Sequence, residues 1–262
     1  MSNLLSAASK KRVCIFLAIL FCICLLAVIF TDKADIGSFS FSPSNQVPSD
    51  SPSNKRFSSA AVSESATLPV EYNKGSCVEF GRYPQNSINN PEPIEWLVLD
   101  NDGHTALLVS KYGLDCKPFH KEYKGVSWYS CDLRKWLNSV FLETAFNDIE
   151  KQHIAYNTIL TEDNPAWGTK GCGPSRDKLF CLSIDEVNKF FPLQDSRKCL
   201  VTSYAISHNA WNDDAGFCWF WLRSPGRSED RAASVDFKGA IYNCGDVDSS
   251  DFAVRPALRI IL

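Results

Sequence analysis

The sequence lacks the residue patterns of several common functional sites. Its 11 cysteines include no Cys-x-x-Cys or Cys-x-x-His pair, which argues against a zinc cluster. Its four histidines stand in no Ser/His/Asp or Cys/His arrangement, and no serine has the context of a nucleophile elbow. We therefore predict no catalytic residues, and a binding or structural role is favoured over an enzyme.

Positive charge is not in excess either. The chain has 27 Lys and Arg against 30 Asp and Glu, a formal charge of −3. The first 30 residues contribute three cations and no carboxylate, so the remainder carries −6. Because nucleic acids are bound by basic surfaces, we exclude nucleic acid as a partner.

A long hydrophobic run occurs near the N-terminus, at residues 13–30, after Lys10, Lys11 and Arg12. As a helix it would span about 27 Å, close to the thickness of a bilayer core. The preceding cations predict that residues 1–12 are cytoplasmic and that the rest lies outside the cytoplasmic membrane. A cleaved signal peptide is the alternative, but its apolar region usually has only about 7–15 residues. We expect an uncleaved anchor in the lipid bilayer.

Residues 31–74 are rich in serine, with scattered proline and no hydrophobic period. Such a segment buries too little apolar surface to offset its ordering entropy, so we expect a disordered linker. The globular domain then spans residues 75–262 and contains all seven tryptophans.

Short strands and helices are expected within this domain. Alternating runs predict strands at 77–80, 94–99 and 105–110, with Asn101-Asp102-Gly103 as a hairpin turn and a turn-rich stretch at 81–93. Helices are predicted at 131–137, after the capping-box pairs Asn147/Glu150 and Ser183/Glu186, and at 202–208. The order of strands, helices and strands predicts an α+β fold.

The most distinctive stretch is FCWFWLRSPG at residues 217–226. Strand alternation puts Trp219 and Trp221 on one face, with Arg223 two residues further on. Two interpretations stay open: core aromatics with a paired arginine, or a stacking platform for a sugar ring. Arg255, which precedes a proline, is expected to serve the fold. Trp167 and Trp211 lie in predicted loops and are further candidates for ligand contact.

The eight cysteines beyond the apolar run suggest disulfides in an oxidising compartment. Cys116 and Cys131 bracket a short loop and form the favoured bridge, which would contribute about 3 kcal/mol. Cys199 and Cys218 are further candidates.

Asp246, Asp248 and Asp251 place three carboxylates in six residues, a pattern that could hold calcium. The sequence lacks the glutamate and spacing of an EF-hand loop, so a solvated turn is the competing interpretation. We predict no other metal or cofactor.

Several segments together resemble the bacterial domain-of-unknown-function family 6273, over residues 75–260: FGRYPQ, PIEWLVLD, ALLVSKYGLDCKPFH, CDLRKWLN, FLETAF, LFCLSIDEV, CWFWLRSPG and AVRPAL. The two last segments resemble C-type-lectin-like domains of the formylglycine-generating-enzyme branch. This resemblance implies small antiparallel sheets, short helices and long loops, with the first and last strands paired.

Residue-level support for a known activity of that fold is weak. Trp211-Asn212-Asp213 matches a tripeptide of calcium-dependent lectins, but the companion Glu-Pro-Asn is absent. The residues around Cys218 and Cys244 do not match the copper-binding motif of the formylglycine-generating enzymes. We expect an extracytoplasmic binding domain for a glycan or a surface protein; an enzyme of this fold and a structural envelope protein are the alternatives.

Overall fold

A computed structural model describes residues 71–86 and 89–262, which form an α+β fold of many strands and a few short helices, as predicted. The predicted cytoplasmic segment 1–12, the anchor 13–30 and nearly all of the linker 31–74 lie outside the described residues. Within the described residues, no helix has the length and hydropathy needed to cross a membrane.

The described part of the chain contains twelve strands. They are β1 (Cys77–Pro84), β2 (Pro91–Asn101), β3 (Thr105–Ser110), β4 (Asp115–Cys116), β5 (Asn157–Thr161), β6 (Gly173–Asp177), β7 (Leu179–Phe180), β8 (Phe220–Pro225), β9 (Arg231–Val235), β10 (Ile241–Asp246), β11 (Ala253–Val254) and β12 (Ala257–Ile261). One sheet has the order β1-β2-β3-β12-β7, a second the order β10-β9-β8-β11-β4, and β5 pairs with β6. We call the first of these the outer sheet and the second the tryptophan sheet.

The three predicted strands are present, and Gly103 adopts a positive φ of 85° in the hairpin turn between β2 and β3. The predicted turn-rich stretch at 81–93 is shorter than expected, because β1 continues to Pro84 and β2 starts at Pro91. β12 pairs with β3 and β7, and β1 pairs with β2. This corrects the expectation that the first and last strands pair.

The helices are short, and four of them have a side-chain N-cap. They are α1 (Asp132–Trp136), a π-helical turn (Leu137–Phe141), α2 (Leu142–Ala145), α3 (Asp148–His153), α4 (Ile184–Phe190), a 3₁₀ helix (Gln194–Arg197) and α5 (Ser203–Ser207). Both predicted capping boxes are formed, at Asn147 with Glu150 and at Ser183 with Glu186. Thr202 caps α5 through its side chain, so the predicted short helix there is confirmed.

Arg255 and Pro256 carry the chain from the tryptophan sheet to the outer sheet. Arg255 is buried, and its Nε donates to the Ser110 carbonyl at 3.0 Å. The Pro256 carbonyl accepts from the Ser110 N–H at 2.9 Å. The arginine therefore joins the end of β3 to the start of β12, which agrees with the expected role in the fold.

Arg223 is also held by the fold. Its guanidinium binds both carboxylate oxygens of Glu186, and it donates to the carbonyls of Cys181 and Leu160 at 2.9 Å each. Its side chain is only 3% exposed, so these contacts replace the water that a buried cation loses. The core interpretation of this arginine is the one that the geometry supports.

The predicted Cys116–Cys131 bridge is not formed, because the eight cysteines of the described residues are all free thiols. Cys116 Sγ donates to the Ser250 carbonyl at 3.2 Å. Cys131 Sγ instead accepts from the Arg134 N–H at 3.4 Å, as the N-cap of α1. The short sequence separation gave no sign of these two separate contacts.

We predict that Glu186→Gln destabilises the domain by about 3 kcal/mol, because the buried Arg223 loses its anion. Glutamine can still cap α4, so the loss reports the ion pair. The measurement is urea unfolding of the purified protein. Glu143→Gln is the matched control: Glu143 pairs with Lys151 at an exposed site, and its loss should cost less than about 1 kcal/mol. Equal losses in the two variants would contradict the prediction.

Candidate binding pocket

Trp221 forms the base on which the pocket is built. Its ring is fully buried, stacks on Phe252 with 4.0 Å between the ring centroids, and donates through Nε1 to the Lys117 carbonyl at 2.9 Å. Strand β10 crosses this ring at Gly245, where a Cβ would lie 2.6 Å from a ring carbon. Glycine is therefore required for β10 to pack at this distance.

Five aromatic side chains line a cavity of about 420 Å³ above this base: Trp211, Trp219, Phe237, Tyr242 and Phe252. Trp211 and Phe237 meet edge to face with their ring centroids 5.1 Å apart, and Trp219 and Tyr242 do so at 5.0 Å. Trp219 also contacts Phe252, at 5.6 Å. Trp211 and Tyr242 are about 40% exposed, so their faces remain accessible to a ligand. We call this cavity the aromatic pocket.

The rim of the aromatic pocket is polar and acidic. Asp246 and Asp251 supply carboxylates, and Ser249 and Cys244 supply a hydroxyl and a thiol. Asp246 also forms an ion pair with Arg231, and this contact fixes the orientation of the Asp246 carboxylate at the end of β10. Among the residues that the structure describes, no lysine or arginine lines the pocket, so this surface presents hydrogen-bond acceptors and negative charge.

Backbone contacts hold the loops that carry the pocket. The Trp211 N–H donates to the Asp251 carbonyl at 2.8 Å, which ties the two loops together. Asn209, at a positive φ of 82°, donates through its side chain to the Ser250 carbonyl at 3.0 Å. The loops are thus connected to each other and to the Cys116 thiol on β4.

The Trp211-Asn212-Asp213 tripeptide has a structural role beyond the tryptophan. Asp213 accepts from the N–H groups of Ala215 and Phe217, which closes a turn before β8. The Asn212 side chain donates to the Asp213 carbonyl at 2.8 Å. Because these side chains hold the turn, the match to the tripeptide of calcium-dependent lectins is one of sequence and not of structure.

The structure brings only some of the predicted site residues together. Trp211, Trp219 and Asp246 line the aromatic pocket, and Trp221 supports it from below. Arg223 faces a different cavity, between β5 and α4, and Trp167 and Asp248 are exposed and outside the pocket lining. In the part of the chain that the structure describes, no three His, Cys, Asp or Glu side chains are placed to hold a metal ion.

Sequence reasoning missed Phe237 and Tyr242. Phe237 lies in the turn between β9 and β10, and Tyr242 is the second residue of β10. The segment IYNCGD does have the composition of a strand. Within it, Tyr242 lies three residues before Gly245, the glycine that packs on Trp221. Only the antiparallel pairing of β9 with β10, and of β8 with β9, brings these rings to Trp219.

The described fold and pocket define a small α+β domain with an open aromatic cavity of the size that binds small ligands. The family model "Domain of unknown function (DUF6273)" matches residues 103–262, more than half of the chain, and the chain belongs to this family. Comparisons with curated proteins and with solved structures find no match.

We predict that Gly245→Ala lowers stability by about 1–3 kcal/mol, because the added methyl group meets the Trp221 ring and the Ala232 carbonyl. Thermal unfolding measures the effect. Gly125→Ala is the matched control, since its Cβ would meet the Glu229 side chain at 3.3 Å and the Glu229 carbonyl only at 4.0 Å. A Gly245→Ala protein as stable as the control would show that β10 does not depend on this close approach.

Proposed function

We propose that this chain is a membrane-anchored, extracytoplasmic binding protein and that the aromatic pocket takes a sugar ring of a glycan. The observation that carries the proposal is the pairing of accessible ring faces, on Trp211 and Tyr242, with carboxylate acceptors at the rim. A pyranose presents C–H groups on its faces and hydroxyl groups at its edge. The C–H groups pack on aromatic faces, and the hydroxyl groups donate hydrogen bonds to carboxylates.

The tightly packed base supports this proposal. Trp219 contacts Tyr242, Phe237 and Phe252, and Phe252 stacks on the buried Trp221. A ring wall held in this way loses little conformational entropy when a ligand binds, so more of the contact energy appears as affinity. The volume of about 420 Å³ lies within the usual range of small-ligand sites, about 300–1,000 Å³.

The charge of the rim selects among sugars. Among the described residues, Asp246 and Asp251 line the pocket and no lysine or arginine does. Asp246 is already paired with Arg231, so a carboxylate on the ligand would meet chiefly the negative charge of Asp251. The proposal is therefore a neutral sugar, not an acidic one. A surface protein that presents a neutral glycan is included in this proposal.

The position of the domain in the cell is part of the proposal. Residues 13–30 would anchor the chain in the cytoplasmic membrane with residues 1–12 inside, and residues 31–74 would form a flexible stalk that carries the domain outside. The apolar run and the Ser/Pro-rich composition support this arrangement. The single-pass anchor agrees with a binding role at the periplasm or cell surface.

We further propose that the domain is a variant of the C-type-lectin-like fold. Its two small, mainly antiparallel sheets, its short helices and its loop-borne pocket support this assignment. This variant would differ from the usual fold in one pairing: its last strand, β12, pairs with β3 and not with the first strand, β1. An enzyme or a purely structural envelope protein on this fold gains no support from the open aromatic pocket.

We predict that Trp211→Ala weakens binding of the recognised glycan at least about tenfold, which corresponds to about 1.4 kcal/mol. The ligand is first found by applying the purified protein to an array of neutral and acidic glycans, and its affinity is then measured by calorimetry. Trp167→Ala is the matched control, because Trp167 is an exposed tryptophan outside the pocket. A protein that binds no glycan, or a Trp167→Ala variant with the larger loss, would refute the proposal.

We also predict that a uronic-acid analogue of the bound neutral sugar binds at least about tenfold more weakly at low salt, chiefly through repulsion from Asp251, because Asp246 is paired with Arg231. Raising the ionic strength should reduce the difference in affinity between the two sugars, and Asp251→Asn should reduce it further. Asp248→Asn, at an exposed carboxylate outside the pocket lining, should leave it unchanged. Equal affinity for the two sugars at low salt would contradict the charge argument.

A further inference from the structure

Two buried cysteines lie directly opposite each other behind the aromatic pocket. An antiparallel bridge joins Leu200 to Phe217. The Cys218 N–H donates to the Cys199 carbonyl at 2.9 Å, and the Val201 N–H donates to the Gly216 carbonyl at 3.0 Å. Cys199 and Cys218 therefore occupy a hydrogen-bonding position of the antiparallel ladder and are joined by one backbone hydrogen bond.

This register suits a covalent bridge. The Cα atoms of a hydrogen-bonded antiparallel pair are about 5.5 Å apart. A disulfide requires a Cα separation of about 4.4–6.8 Å. The two side chains also lie on the same face, because the residues are directly opposite each other, and the Cys218 thiol donates to the Cys199 carbonyl at 3.4 Å. The backbone thus meets the geometric condition for a disulfide without a change of register.

The surroundings favour ionisation of one thiol of the pair. Both side chains are buried, at 1% and 0% exposure. Burial acts to raise the pKa of Cys199, but the hydrogen bond from the Cys218 thiol, the positive charge of Arg255 and the Gly113 N–H together lower that pKa. The hydrogen bond to Cys199 raises the pKa of Cys218. The thiolate, which is the attacking species in disulfide exchange, therefore forms at Cys199.

We infer that Cys199 and Cys218 form a redox pair that closes to an intrachain disulfide. The oxidant is a small-molecule or protein disulfide. The Cys199 thiolate attacks one sulfur of that disulfide, forms a mixed disulfide and releases one thiolate. Cys218 loses its proton, attacks the Cys199 sulfur and releases the second. The pair gives up two electrons and two protons, and the oxidant becomes two thiols. Because both sulfurs are buried, the exchange occurs during folding or on local opening.

The bridge would fix one wall of the aromatic pocket. Cys218 directly precedes Trp219 in the chain, and an isolated bridge pairs Cys218 with Asn212, the neighbour of Trp211. A Cys199–Cys218 bond therefore anchors the backbone between the two pocket tryptophans. It stabilises the domain by closing the intervening loop in the unfolded chain as well.

Cys131 and Cys181 provide an internal comparison. They are as deeply buried, and burial, with a smaller effect of the Cys131 thiol, raises the pKa of Cys181. Burial raises the pKa of Cys131 to about 12. Cys131 caps α1 and Cys181 follows β7. The structure shows no cross-strand register between them, so we expect both to remain thiols.

The test uses the full chain, equilibrated in buffers of reduced and oxidised glutathione, quenched with acid, denatured and alkylated with N-ethylmaleimide. Trypsin should release residues 199–223 as one peptide, because no lysine or arginine lies between Lys198 and Arg223. Under oxidising buffer we expect this peptide without adducts and lighter by two hydrogen atoms than its reduced form. Cys131 and Cys181 lie in separate tryptic peptides, and each should carry an adduct throughout.

A peptide 199–223 with two adducts at every glutathione ratio would overturn the inference, and so would a Cys131–Cys181 cross-link formed in preference. A second measurement needs no variant: the thermal midpoint of the oxidised protein should exceed that of the reduced protein by on the order of 5–10 °C. Cys199→Ser should abolish the difference between the two conditions. Equal midpoints for the oxidised and reduced wild-type protein would count against the inference.

Discussion

The burial of Trp221 is the constraint on which the rest of the described structure depends. This ring lies at the centre of the tryptophan sheet, stacked on Phe252 and crossed by Gly245. A large aromatic ring buried in this way contributes several kilocalories per mole and tolerates no void around it. The loop before β11, strand β10 and the Lys117 carbonyl must therefore all reach the same ring. These contacts around Trp221 fix the positions of Phe252, Gly245 and Trp219 in the aromatic pocket.

Two buried arginines, Arg255 and Arg223, join β8 to neighbouring elements. Phe220 alternates with Trp219 and Trp221, and its ring lies under the Arg255 guanidinium, 5.2 Å away. Arg223 ties the same strand to Glu186 at the start of α4. Because an arginine can satisfy several carbonyls at once, it can occupy an interior position that no aliphatic side chain could fill with the same contacts. The two motifs WLRSP and VRPAL thus connect the sheets to each other and to the helices.

Local patterns predicted much of the fold and little of the pocket. The hairpin around Gly103, both capping boxes and the alternation of Trp219 with Trp221 depend on neighbours in the sequence, and each was predicted. The approach of Phe237 and Tyr242 to Trp219 depends on strand order, which one sequence does not specify. The same holds for Trp167: exposed loop tryptophans look alike in a sequence, and only the fold separates Trp211 from it.

The segment from Trp211 to Trp219 shows why function would concentrate at this place. Its backbone is fixed by the Asp213 side chain in the turn, by pairing to Leu200 and by the Asp251 carbonyl, so the Trp211 side chain need not contribute to holding the loop. Trp211 is therefore free to remain 42% exposed beside an acidic rim. A large aromatic side chain left accessible on such a rigid frame costs hydrophobic stabilisation that the core could have used. An exposed aromatic cluster at a rigid concave site is a feature of ligand binding, whereas a structural protein gains from covering it.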